Sequence, residues 1–66
     1  MEITLNGESR QVPDHSTASQ LVETLCLAGK RMAMEINEEI VPRSTFDERV
    51  IRDGDKIEIV GAIGGG

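Results

Sequence analysis

The sequence has few of the residues from which nucleic-acid, metal and redox sites are built. Its 66 residues include one aromatic side chain (Phe46), one cysteine (Cys26) and one histidine (His15). One cysteine cannot form a disulfide within the chain, and no Cys/His cluster has the spacing of metal ligands. The chain must therefore rely on one hydrophobic core, which suits a reducing cytosol. We predict a cytoplasmic protein without a bound metal.

Basic residues and long apolar runs are also scarce. Seven Lys and Arg against twelve Asp and Glu give a net charge of −5 at pH 7, whereas binding to a phosphate backbone calls for a basic face. No stretch is long enough to span a bilayer, and no N-terminal run resembles a signal peptide. Nucleic acid and membranes are thus poor candidates as partners. The acidic charge either keeps a small domain in solution or attracts a basic protein surface.

The hydrophobic pattern predicts short strands. Apolar and polar residues alternate, as in half-buried strands, in residues 1–5, 32–36 and 56–60. Asn6-Gly7 supplies the positive φ angles of a hairpin turn, so residues 8–12 are predicted to return as an edge strand. Another short strand ends at Pro42, which lacks a backbone donor and therefore also favours an edge.

Residues 17–28 are predicted to form the only long helix. Thr17 and Gln20 have the spacing of a capping box, and Gly29 can adopt the left-handed conformation that ends a helix. The apolar face has the i, i+1, i+4, i+5 spacing of a core-facing helix and consists of Ala18, Leu21, Val22, Leu25 and Cys26. We therefore expect Cys26 to be buried, and His15, in the polar loop before the helix, to be a surface residue.

One helix laid across one face of a small mixed sheet buries these stripes. We predict an α+β fold of the β-grasp type, a ubiquitin-like roll formed by residues 1–66 as a single domain. Ser44 could begin one helical turn, with Phe46 and either Val50 or Ile51 packed beneath it. The segment Asp53-Gly54-Asp55 lacks the remaining ligands of a calcium loop and is predicted to be a turn.

The glycine-rich segment 61–66 leaves two interpretations open. No nucleophile, base and orienting group can be assembled from one histidine and one buried cysteine, so the chain is not predicted to be an enzyme. The segment could be a flexible, frayed terminus. It could instead be used by a partner, because a glycine segment fits a narrow channel and a terminal glycine presents its carboxylate without a Cβ.

Five segments follow one another along the chain: "ITLNG", "STASQLVETL", "INEEIVPR", "DGDKIEIV" and "GAIGGG". Together they resemble the ubiquitin-like sulfur carrier proteins, and within these the ThiS family of thiamine biosynthesis. The resemblance implies that an adenylating enzyme of the ThiF type uses ATP to activate the carboxyl group of Gly66. Sulfur that originates from a cysteine desulfurase then gives a thiocarboxylate, which donates it to a thiazole synthase of the ThiG type. The chain itself would bind no cofactor.

The same resemblance makes Gly65 the required neighbour of Gly66 and places Gly64 where the family varies. We expect partners to contact the residues around the end of the last strand: Glu58, Val60, Ala62 and Ile63. Three alternatives stay open. The chain could carry sulfur for another pathway (molybdopterin, cysteine or another metabolite), it could be a ubiquitin-like protein modifier, or it could be an interaction domain with an incidental tail.

Overall fold

The computed structural model describes residues 1–61, which form a mixed sheet of five strands with one α-helix on one face. The order across the sheet is β2-β1-β5-β3-β4. The elements, in chain order, are β1 (Glu2–Leu5), β2 (Glu8–Gln11), α1 (Ala18–Thr24), β3 (Met32–Ile36), β4 (Glu39–Val41), a 3₁₀ turn (Arg43–Thr45) and β5 (Lys56–Gly61). This is the predicted α+β arrangement.

β5 occupies the centre of the sheet although it comes last in the sequence. It runs parallel to β1, with Leu5 in register with Ile57. On its other side it runs antiparallel to β3, with Met34 opposite Ile59. The two edges are formed by β2, whose four residues are all exposed, and by β4, which ends before Pro42. Both edge predictions are confirmed.

Two hairpin turns use residues with positive φ angles. Asn6 (φ 50°) and Gly7 (φ 85°) join β1 to β2, as the sequence predicts. Asn37 (φ 52°) and Glu38 (φ 69°) join β3 to β4 without a glycine. Left-handed backbone is tolerated best by glycine and, among the other residues, by asparagine. An asparagine therefore opens each turn.

The start of α1 is satisfied by its own cap and by a distant segment. Gln20 N donates to Thr17 Oγ1 over 3.2 Å, while Thr17 N donates to the Gln20 side chain over 2.9 Å, which completes the predicted capping box. The first two backbone amides of the helix, those of Ala18 and Ser19, have no acceptor within the helix. They donate to the carbonyls of Arg49 (2.9 Å) and Phe46 (3.1 Å), respectively. The connection between the 3₁₀ turn and β5 thus anchors the helix N-terminus, where backbone donors lack helical partners.

The end of α1 differs from the prediction. The helix ends at Thr24 rather than at residue 28, and Cys26 (φ 60°) takes the left-handed position that glycine usually occupies. Cys26 N bonds to Glu23 O (3.0 Å) and Leu27 N to Val22 O (2.9 Å), the two bonds of a Schellman motif. The reversal turns the Cys26 side chain outward, so the thiol is exposed. The prediction that Cys26 is buried is wrong.

The core lies between α1 and the inner face of the sheet. Its most completely buried side chains are Ile3, Leu21, Met34, Ile36, Ile51 and Ile57. Phe46 and Ile51 are buried whereas Val50 is exposed, which decides between the two packing alternatives. The short turn at Arg43–Thr45 follows Pro42 and has no side-chain cap, so Ser44 does not begin it as a cap.

Leu25 was predicted in the core but is only half-buried at its margin, while Leu21, one turn earlier, is 1% exposed. We expect Leu21→Ala to lower the free energy of unfolding by about 2–5 kcal/mol through lost burial and a cavity. Leu25→Ala should cost less, about 1–2 kcal/mol, because less apolar surface is removed from contact. Urea unfolding of both variants measures the difference. A larger loss for Leu25→Ala would contradict this packing.

Candidate functional site

The candidate site is the end of β5 and the sheet surface beside it. β5 ends at Gly61, and the chain continues from there into the segment predicted to react. The predicted site residues Ala62, Ile63, Gly64, Gly65 and Gly66 lie outside the described residues. The described part therefore shows the base from which the glycine segment leaves and the surface that a partner would meet there.

Glu58 and Val60 lie together on the outer face of the sheet, opposite the helix. Side chains alternate along a strand, and Ile57, with 0% exposure, faces the core. Val60 is 64% exposed and lies opposite Ala33 of β3. Ile40 of β4, which is 76% exposed, belongs to the same face because it is in register with Glu35. The sequence pattern did not indicate Ile40 as a surface residue. Its position in a short edge strand is the signal that could have predicted its exposure.

Two carboxylates separate these exposed aliphatic side chains. Glu58 of β5 lies directly opposite Glu35 of β3, and both side chains are half-buried. Like charges in directly opposed positions of a sheet destabilise the pair. A basic group from another molecule would relieve this repulsion, while Val60 and Ile40 offer apolar contact on either side. The outer face thus suits a partner that presents a positive charge next to an apolar surface.

The Asn6 side chain is hydrogen-bonded to β5 two residues before the glycine segment begins. It accepts a hydrogen bond from Ile59 N over 2.8 Å and donates to Ile59 O over 3.3 Å. Asn6, Ile59 and Gly61 also line one open cleft beside the loop that follows α1. The sequence indicated Asn6 only as a turn residue. Its contact with β5 depends on strand register, which local patterns do not contain.

The two aspartates of the 53–55 turn are used inside the fold. Asp53 Oδ1 accepts from Glu2 N (2.8 Å), and Asp55 accepts from Arg52 N (2.8 Å) and from the Asn37 side chain (3.0 Å). The turn prediction is confirmed. Within residues 1–61, His, Cys, Asp and Glu form no group of three that could hold a metal ion. In the same range no helix is long and apolar enough to cross a membrane.

The remaining candidates lie on the surface. His15 is exposed, as predicted. Beside it, Asp14 is 3.0 Å from the terminal ammonium group of Met1. The hydrogen bond from that ammonium group, and then its positive charge, lower the pKa of Asp14. Within residues 1–61, neither Asp14 nor His15 forms a hydrogen bond or an ion pair with the end of β5.

Comparison with known proteins identifies the family. The model of the ThiS family matches residues 3–66. The chain belongs to the ThiS family. The sulfur carrier protein ThiS of Escherichia coli is 33% identical over 66 residues, and the match covers 100% of both chains. The prediction that the chain is a member of the ThiS family is thereby confirmed.

Two further ThiS-related proteins add to this. A crystal structure of the thiamine biosynthesis protein ThiS from Geobacter metallireducens is 30% identical, with a TM-score of 0.86 and coverage of 100% of both chains. The predicted β-grasp fold is confirmed by this match. A thiazole synthase of Paramagnetospirillum magneticum is 41% identical over 66 residues, yet the chain spans only 20% of that protein's length. A ThiS-like segment therefore also occurs within a longer protein of that name.

Exposure of Cys26 has a direct test. We expect the native thiol to react with a water-soluble aromatic disulfide at a rate within about threefold of that in the urea-unfolded chain, because the Cys26 side chain is exposed. Absorbance of the released aromatic thiol measures the rate. Val50→Cys in a Cys26→Ser background provides a second exposed thiol as the reference. If Cys26 reacted slowly in the folded chain and fast only after unfolding in urea, the exposed position given by the Schellman motif would be contradicted.

Proposed function

We propose that the chain carries sulfur as a thiocarboxylate on Gly66 and delivers it for formation of the thiazole ring of thiamine. The observation that carries this proposal is the match with a sulfur carrier protein over the full length of both chains. It joins the family to a sequence that ends in Gly64, Gly65 and Gly66. The proposal further holds that the chain is a substrate of its partners rather than an enzyme.

The chemistry begins with activation, because a carboxylate is a poor electrophile. An adenylating enzyme of the ThiF type binds ATP, and a carboxylate oxygen of Gly66 attacks the α-phosphorus, so that pyrophosphate leaves. A persulfide sulfur from a cysteine desulfurase then attacks the acyl carbon, and AMP leaves. A thiol breaks the resulting sulfur–sulfur bond and becomes part of a new disulfide. The thiocarboxylate remains on Gly66.

A thiazole synthase of the ThiG type is the proposed acceptor. The support is that a protein named thiazole synthase contains a segment 41% identical to this chain, since a carrier joined to its acceptor reacts at high effective concentration. We assign these reactions to the cytoplasm, where reducing conditions preserve thiols and thiocarboxylates. The chain supplies no cofactor of its own in this scheme. ATP is consumed by the activating partner.

The glycines have different roles in this proposal. Gly66 must end the chain because its carboxyl group is the one adenylated. Gly65 passes the narrowest part of the activating enzyme, where a methyl group would collide or would bar a backbone angle open only to glycine. Gly64 lies at the mouth of that channel, where alanine is tolerated. Gly61 offers a matched control, because a Cβ there would meet nothing within 4 Å.

We expect Gly65→Ala to lower ATP–pyrophosphate exchange by about 100-fold or more, since backbone access to glycine-only angles is lost. Gly64→Ala and Gly61→Ala should nearly keep the parental rate, and an alanine added after Gly66 should abolish exchange. In a reconstituted reaction, intact mass should rise by the difference between sulfur and oxygen. Cys26→Ser should show the same rise, because the sulfur is not on the thiol.

The same mass measurement, made on protein from cells, separates the other candidate functions. Conjugates of higher mass that resist reducing agents would indicate a protein modifier joined to lysine. Absence of any mass change, together with equal exchange rates for all the glycine variants, would mean that the glycine segment is incidental. Sulfur loading without transfer to thiazole synthase would point to a carrier of another pathway.

The acidic pair on the outer face makes a second prediction about the activating partner. Glu58→Lys should raise the free energy of unfolding by about 0.2–1 kcal/mol, because it replaces repulsion with Glu35 by attraction. It should also slow association with the activating enzyme by about tenfold at low salt, because steering by the acidic face is lost. Stopped-flow association and thermal melting measure the two effects. Glu48→Lys, an exposed charge reversal away from this face, should change neither by as much. Unchanged association for Glu58→Lys would remove this face from the interface.

A further inference from the structure

Asn6 is the point at which β1 leaves β5. Asn6, the residue after β1, donates from its backbone N to Ile57 O over 2.9 Å. Within residues 1–61 this is the last backbone hydrogen bond between this segment and β5. The positive φ of Asn6 then directs the chain into the hairpin turn and away from β5. Since β1 ends at Leu5, in register with Ile57, the backbone of β1 does not accompany β5 to its end.

The Asn6 side chain replaces the missing backbone. In a strand, the N–H and C=O of one residue point to the same side, and the next residue points to the other side. The backbone N–H and C=O groups of Ile57 and of Ile59 therefore both point toward the side of β5 on which β1 lies. The Asn6 amide gives Ile59 N an acceptor at 2.8 Å and Ile59 O a donor at 3.3 Å. It adds one more step to the parallel ladder and satisfies two backbone groups.

This contact lies close to the start of the glycine segment. Ile59 is followed by Val60 and by Gly61, the last residue of β5. β3 pairs with β5 as far as Gly61, which lies opposite Met32. The end of β5 is thus held on one side by the backbone of β3 and on the other by a single side chain.

We propose that Asn6 is a positioning residue for sulfur loading: it fixes the direction in which the chain leaves the sheet, and so presents the glycine segment to the activating enzyme. The inference rests on the proposed function. A segment held in the direction in which it binds loses less conformational freedom when it binds. Loss of the Asn6 amide should therefore weaken productive binding and leave the chemical step unchanged.

Asn37 provides a matched control at the other end of β5. It also follows the last residue of a strand next to β5, and it also has a positive φ (52°). Its side chain accepts from Lys56 N over 3.0 Å and donates to Asp55 over 3.0 Å. Asn37 therefore holds the start of β5 as Asn6 holds its end. The two residues differ in their distance along β5 from the glycine segment.

The experiment compares Asn6→Gly with Asn37→Gly in the full chain. Glycine keeps the left-handed backbone at both positions and removes only the side chain. Asn6→Asp, which keeps one acceptor and loses the donor, provides a second variant should Asn6→Gly fold poorly. The readouts are the KM and kcat for the chain in ATP–pyrophosphate exchange, thermal melting, and amide hydrogen exchange of β5 followed by NMR.

We expect Asn6→Gly to raise KM about tenfold at unchanged kcat, the size of effect that freeing one backbone residue would give. Its amide exchange should accelerate at Ile59 and not at Lys56. Asn37→Gly should show the opposite exchange pattern and a KM within about twofold of the parent, although both variants melt earlier. Asn6→Asp should fall between the parent and Asn6→Gly.

Two results would overturn the inference. One is an equal change of KM in Asn6→Gly and Asn37→Gly, which would mean that only general stability matters. The other is a parental KM in Asn6→Gly despite faster exchange at Ile59. Failure of the proposed function has a different signature: the parent chain itself would then support no exchange with the activating enzyme, or would support exchange without passing sulfur to a thiazole synthase.

Discussion

Hydrogen bonding of β5 on both sides is the interaction on which the rest of the structure depends. β1 and β3 do not pair with each other, so β5 is what joins the β1–β2 hairpin to the β3–β4 hairpin. Ile57, the second residue of β5, is fully buried and packs in the core that α1 covers. Two asparagines extend this dependence to the ends of the strand. A chain of this size buries only about 60% of its unfolded surface, so few contacts are available to replace those of β5.

Such an arrangement separates stability from chemistry. In the proposed function, the acyl carbon of Gly66 needs access to at least two partners, whereas the fold needs its central strand immobile. Both needs are met when the reactive group follows the central strand in the sequence instead of belonging to it. Recognition through the outer face, as proposed, would cost the core little, because Glu35, Glu58 and Val60 project away from it. In the proposed function, sulfur transfer uses the carboxyl group of Gly66 and leaves the single thiol of Cys26 outside the reaction.

Most elements of the fold could be predicted from the sequence, because short sequence patterns determine them. The Asn6-Gly7 turn, the capping box of Thr17 and the alternation around Ile57 each depend on neighbouring residues alone. Cys26 was placed wrongly because the apolar spacing from Leu21 continued through it, while the actual stop used a non-glycine residue in left-handed conformation. The contacts of Asn6 with Ile59 could not be predicted, since they depend on the register between opposite ends of the chain. The proposed roles of Ile63 and the terminal glycines depend on the shape of a partner's binding channel, which no property of the isolated chain specifies.

The central position of β5 also has a consequence for the order of folding. The two hairpins join residues that are close in sequence, and closing such short loops is fast and loses little entropy. β5 must then enter a gap between them, through a parallel pairing with β1 that spans most of the chain. Contacts of such long sequence separation slow folding. Before that step the chain would be a pair of hairpins with an open slot one strand wide, into which β5 of a second molecule could also fit. Kinetic competition between a chain's own last strand and that of its neighbour would then set the concentration above which refolding yields strand-exchanged dimers.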